Sequence, residues 1–221
     1  MDKNKQGIES LKAGKYEDAI KFFSEAIEEN PMDPVAYINF GNVLTAVGEN
    51  ERAINFYSKA IELDENASAA YYCLGNLYFN LNNFSDAAVQ FEKAMRNGLQ
   101  TNDVYYMLGM CFVNMDNVKL AIPYLQRSVE LNEEDVEARF QYGLALAKSE
   151  LYKEAVAQFE EVVKQDIHHA DAFYNLGVAY LGIYNNPDRA LGYFTKALDI
   201  QPDHMLAGYG LKMIEKIKGP Q

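Results

Sequence analysis

YYCLGNLYFNLNNF, residues 71–84, places apolar side chains at helical spacing around a central Gly75. Glycine costs a helix interior roughly 1 kcal/mol relative to alanine, so its presence asks for a packing reason. The reason repeats along the chain: Gly7, Gly41, Gly75, Gly109, Gly143 and Gly177 are each separated by 34 residues. A fixed period of that length is the mark of an array in which each unit buries its apolar face against its neighbours.

With the glycine as position 8 of a unit, further columns emerge. Twelve residues on stand Ala19, Ala53, Ala87, Ala121 and Ala155, with Ala190 one residue late; four further come Phe23, Tyr57, Phe91, Leu125, Phe159 and Phe194. Within one unit the apolar spacing is helical twice, as Tyr71, Leu74, Tyr78, Leu81 and then Phe84, Ala88, Phe91, Met95. The polar connections, Val47-Gly48-Glu49-Asn50 and Asn82-Asn83 among them, are too short for anything but antiparallel neighbours. Small residues at positions 8 and 20 are expected to let the paired helices approach closely, offsetting the propensity cost of Gly75.

These columns resemble the tetratricopeptide repeat family: an aromatic at position 4, Leu-Gly at 7 and 8, Tyr at 11, Ala at 20, an aromatic at 24 and Ala at 27, as in YYCLGNLY and FYNLGVAY. The resemblance implies an all-α, right-handed solenoid of helix hairpins. It also implies a single domain over residues 1–221, with repeats at about 1–33, 34–67, 68–101, 102–135, 136–169 and 170–204 and a capping helix at about 203–218. Three departures are expected to adjust local angles only: proline at position 32 survives as Pro31 and Pro202, Arg139 replaces the aromatic at position 4, and YNNPDRA carries one inserted residue. Asp2, Lys3, Gln6, Glu9 and Ser10 make the first helix polar where later units are apolar. In the last helix Leu206, Tyr209, Leu211 and Ile214 are expected to cover the final hairpin while Lys212, Lys216 and Lys218 face water. Two ends covered in this way favour a monomer.

Composition narrows the function. A net charge of −12 repels phosphate backbones and anionic lipid, so no nucleic acid and no membrane partner is expected. No apolar run reaches the ~18 residues of a membrane span and the first ten residues lack a signal core, which points to the cytoplasm. His168, His169 and His204 read as surface residues, Cys111 as a core residue, and Cys73 as an accessible thiol without a cation to activate it. No phosphate loop, metal triad or carboxylate pair stands out, so the chain reads as no enzyme, with no cofactor and no metal.

The family resemblance implies a concave groove lined by positions 2, 5, 6, 9, 12 and 13 of each first helix, holding a protein or peptide ligand. Here those positions supply Ile38, Tyr72, Tyr106, Phe140 and Tyr174 as a ladder, joined by Asn42, Asn76, Phe79, Asn80, Met107, Met110, Asn114, Gln141 and Leu144. Aromatic and methionine side chains suit an adaptable contact, and asparagine can pair with both groups of a peptide amide. Asp103, Glu137 and Asp171 at position 2 serve either the helix dipole or basic residues of the ligand. The cations that would grip a terminal carboxylate are missing, which argues against that mode of tail binding. The reading is a non-catalytic adaptor; the alternatives are a regulatory or substrate-selecting arm of a separate enzyme, or a dedicated client chaperone.

Overall fold

The computed structural model describes residues 2–218; the side chain of Lys218, expected to face water, lies outside the described set. These residues form thirteen α-helices and no strand. The chain divides into two compact units, Met1–Met115 and Asp116–Gln221, where the sequence reading has one domain. The first unit holds α1 (Lys3–Lys12), α2 (Tyr16–Glu29), α3 (Pro34–Ala46), α4 (Asn50–Leu63), α5 (Ser68–Asn80), α6 (Phe84–Arg96) and α7 (Asn102–Asn114). The second holds α8 (Val118–Leu131), α9 (Val136–Lys148), α10 (Tyr152–Gln165), α11 (Ala170–Gly182), α12 (Pro187–Ile200) and α13 (Met205–Lys218). In each, helices pack on their neighbours in chain order, and in the first unit α1, α3, α5 and α7 also touch in succession.

Helix ends follow from local chemistry. Asp33 caps α3 by accepting from the Val35 amide at 2.9 Å, directly before Pro34 at the first helical position. Asp135 caps α9 through the Ala138 amide at 3.0 Å. The turns inside the hairpins repeat one device: a residue of positive φ, being Gly14, Gly48, Asn82, Asp116 and Glu150, with Asn185 serving the sixth. The next amide then reaches back five residues, as Glu49 N–H to the Leu44 carbonyl and Leu151 N–H to that of Leu146, both at 2.9 Å. With Lys15 N–H to the Ser10 carbonyl and Asn83 N–H to that of Tyr78, this ends α1, α3, α5 and α9 in a Schellman-like reversal, while the Asn186 amide reaches back six residues to the Tyr180 carbonyl.

The position-8 glycines have a more specific role than the close backbone approach expected of them. A Cβ built on Gly75 would stand 2.8 Å from the Phe91 ring; on Gly41 it would stand 2.5 Å from Tyr57, and on Gly177 2.6 Å from Phe194. Gly7, Gly41, Gly75, Gly143 and Gly177 each seat the ring at position 24 of their own hairpin, and those rings are almost fully buried. They anchor two apolar cores, one per unit.

Two departures from the repeat are absorbed by polar contacts. Arg139 donates to the Glu133 carbonyl at 2.9 Å and to Gln158 Oε1 at 3.1 Å, joining α9 to the elements on either side where an aromatic ring would pack. The inserted residue before α12 is closed by Tyr180, Tyr184 and Tyr193, with the Arg189 guanidinium 4.6 Å from the centre of the Tyr180 ring.

The last helix departs from expectation. Ala207, Gly210 and Ile214 are its buried residues and Leu211 lies half-buried, but Leu206 and Tyr209, expected to cover the hairpin, are exposed. The helix starts one residue after His204, and the buried arc is centred a quarter turn away from them. His204 is a second correction: it is buried rather than on the surface. Its Nδ1 accepts from the Ala207 amide at 3.2 Å, capping α13, and its Nε2 meets Asp171 Oδ1 at 3.1 Å.

Candidate functional site

On α3, α5 and α7 the predicted residues fall into three environments. Tyr72, Asn76, Phe79, Tyr106, Met107 and Met110 are half-buried, each keeping part of its surface in water; Asn80 and Asn114 are exposed. Ile38 is buried in the first core, which removes it from the contact set: its side chain is committed to packing between α3 and its neighbours. Tyr72 leans on the Phe91 ring at 5.8 Å, and Phe79 meets Phe84 edge-on at 5.2 Å, so both rings are braced from behind. Asn114 turns its amide back to the Met110 carbonyl at 2.8 Å.

Asn42 is held by a group that the repeat pattern alone does not mark as functional. Tyr57 is the one tyrosine in the position-24 column, and its buried hydroxyl donates to Asn42 Oδ1 at 2.8 Å while lying 3.1 Å from Thr45 Oγ1. Burial holds the phenol well above its ordinary titration range, so it stays a donor. With Oδ1 engaged, what the Asn42 amide has left to offer is its nitrogen, a donor. The signal in the sequence was the extra hydroxyl in a column otherwise of phenylalanine and leucine.

In the second unit, Phe140 is buried against Phe159 at 5.8 Å and His169 at 4.4 Å, so it too leaves the contact set. Tyr174 sits between Phe194 at 5.9 Å and His204 at 5.1 Å and stays half-buried, as do Gln141 and Leu144. His169 caps α11 through the Ala172 amide at 3.2 Å. Sequence reading missed this paired use of His169 and His204 as caps that also brace a position-5 ring.

Of the carboxylates, Glu137 accepts from Gln141 at 2.8 Å, and Asp171 is engaged by His204. Asp103 is exposed in the first turn of α7. Cys111 is buried, as expected, and burial pushes its thiol up to about 12; Cys73 is half-buried and pushed up to about 11. Neither is a thiolate at neutral pH. The described residues hold no cluster of three or more His, Cys, Asp or Glu able to take a metal, and none of the described helices is long and apolar enough to cross a membrane.

A tetratricopeptide repeat model matches residues 72–131, 106–168 and 143–205, and a second TPR repeat model matches residues 41–82. The chain belongs to the tetratricopeptide repeat family. The crystal structure of YrrB, a TPR protein with an unusual peptide-binding site, is 52% identical with a TM-score of 0.81, over 86% of this chain and 97% of that one. The TPR repeat-containing protein YrrB of Bacillus subtilis (strain 168) is 51% identical over 39 residues, 18% of this chain and only 19% of the length of that relative. The crystal structure of MamA aligns with a TM-score of 0.72 at 25% identity, over 78% of this chain and 94% of that one. The all-helical hairpins are therefore those of an α-solenoid TPR fold.

Proposed function

We propose that this chain is a non-catalytic adaptor that holds a peptide or helix of a protein partner against the exposed faces of its first helices. The observation that carries the reading is the set Tyr72, Tyr106, Met107 and Met110 on the neighbouring helices α5 and α7. These large apolar side chains remain partly in water, whereas Ile38 and Phe140 at the position of Tyr72 and Tyr106 are buried. Asn42, Asn76 and Asn80 stand on α3 and α5, supplying polar groups for the amides of a bound chain. The similarity to YrrB, whose structure is that of a peptide-binding TPR protein, supports the same class of ligand here.

Affinity capture from the native cytoplasm with the intact chain is expected to retain a partner that a Tyr106→Ala, Met110→Ala version loses. Equal recovery by the two would place binding elsewhere. Titrating salt separates the role of Asp103: a basic ligand loses affinity as salt rises, and a flat response removes the basic ligand from the reading.

A further inference from the structure

A glycine inside a helix asks for a packing reason, and Gly192 finds none within the described chain. It stands in the interior of α12, exposed, and a Cβ built on it would meet nothing within 4 Å. Gly182 and Gly208 are open in the same way, but they fall at the last residue of α11 and in the first turn of α13, outside the helix interior where the propensity cost is greatest. Gly192 forms the notch of a hollow of about 380 Å³ lined by Phe173 of α11 and by Arg189, Tyr193 and Lys196 of α12. The two rings are half-buried with centres 6.4 Å apart, and Tyr180 braces Tyr193 at 5.2 Å. Arg189 donates to the Tyr180 hydroxyl at 3.0 Å, which fixes its exposed guanidinium at one end of the hollow.

We propose that this exposed face of α12 docks a short acidic segment of a protein partner, separately from the faces of the first helices. Charge identifies the occupant. Arg189 and Lys196 lie seven residues apart on one side of α12, with Gly192 and Tyr193 between them, and neither makes an ion pair among the described residues. At the same two repeat positions Arg52, Lys59 and Arg127 each pair with a glutamate three residues away, and Lys93 stands 5.5 Å from the centre of the Tyr71 ring. The nearby Glu160 carboxylate takes its hydrogen bond from the Tyr180 hydroxyl instead of from Arg189. From residue 187 onward five Lys and Arg stand against four Asp and Glu, whereas before it fifteen stand against twenty-eight. A long polyanion is repelled by that excess, but a segment of a few residues meets only the two cations. In an extended chain every second side chain faces the same way, so acid, apolar residue and acid at alternate positions present carboxylates about 13 Å apart. Two long cationic side chains rooted about 10 Å apart along α12 can reach both, and the apolar side chain between them enters the notch at Gly192 against Phe173 and Tyr193.

Titrating the intact, isotope-labelled chain with the acetylated, amidated peptide Glu-Thr-Leu-Thr-Glu, followed by amide chemical shifts, tests this. The Gly192, Tyr193 and Lys196 amides are expected to shift saturably with an affinity on the order of 1 mM. The peptide Gln-Thr-Leu-Thr-Gln should bind about tenfold more weakly, as for the loss of two exposed ion pairs, and Lys196→Gln should cost about two- to fivefold. Gly192→Gln fills the notch and is expected to lose the saturable shift at Tyr193 while raising Tm, because glutamine is the better helix former; a change that merely harmed the fold would lower Tm. The Tyr106→Ala, Met110→Ala version should bind this peptide as the intact chain does, which separates the surface from the one proposed above. No saturable shift up to about 10 mM peptide, equal affinity for the glutamine peptide, shifts centred on α5 and α7 instead, or a lower Tm in Gly192→Gln overturns the inference.

Discussion

At the scale of single residues, the chain trades helix propensity for shape. Gly75 gives up roughly 1 kcal/mol of propensity, and the Phe91 ring occupies the space its side chain would fill. Gly75→Ala is therefore expected to destabilise by about 1–3 kcal/mol despite the better helix former, read as a lower urea midpoint at unchanged m. Combining it with Phe91→Leu, the pairing already present as Gly109 and Leu125, should cost less than the sum of the single changes. The glycine period was legible in the sequence; that five of these glycines seat the ring of their own hairpin was not, because the columns at positions 8 and 24 say nothing of which contacts which. The Tyr57 to Asn42 bond was hidden for the same reason: fifteen residues separate two groups that only the hairpin brings together.

At the scale of elements, the turns and caps decide local stability. Glu150 holds φ 65° where other repeats use Gly14 and Gly48. A side chain with a Cβ is strained in that conformation, so Glu150→Gly should stabilise by about 0.5–1 kcal/mol and raise Tm by roughly 1–4 °C. His204 acts in the opposite sense. His204→Ala removes the cap of α13 and the brace of Tyr174 and is expected to cost about 1–3 kcal/mol. Amide exchange should accelerate selectively in α13 and leave α9 and α10 unchanged, while His204→Asn, which keeps an acceptor for the Ala207 amide, recovers part of the protection. Helix existence and hairpin pairing were readable from period and turn length. The burial of His204 was not, because one polar residue between two helices carries no pattern of its own.

At the scale of the whole molecule, the excess of acidic over basic side chains, net −12, opposes compaction. Moderate salt is expected to raise Tm by screening that repulsion, and a falling Tm between low and physiological ionic strength would show that ion pairs such as Lys148 with Asp116 outweigh it. The period of 34, the six-fold recurrence of glycine and the short polar turns were sufficient to determine hairpins and family, because those properties are local or repeat at a fixed interval. Only the tertiary structure decided which members of each column meet solvent. It sent Ile38 and Phe140 into the core, left Tyr72, Tyr106 and Met110 partly exposed, and turned Leu206 and Tyr209 outward. Exposure depends on the rotation of each helix against its neighbours, a quantity that packing sets and that residue spacing leaves open.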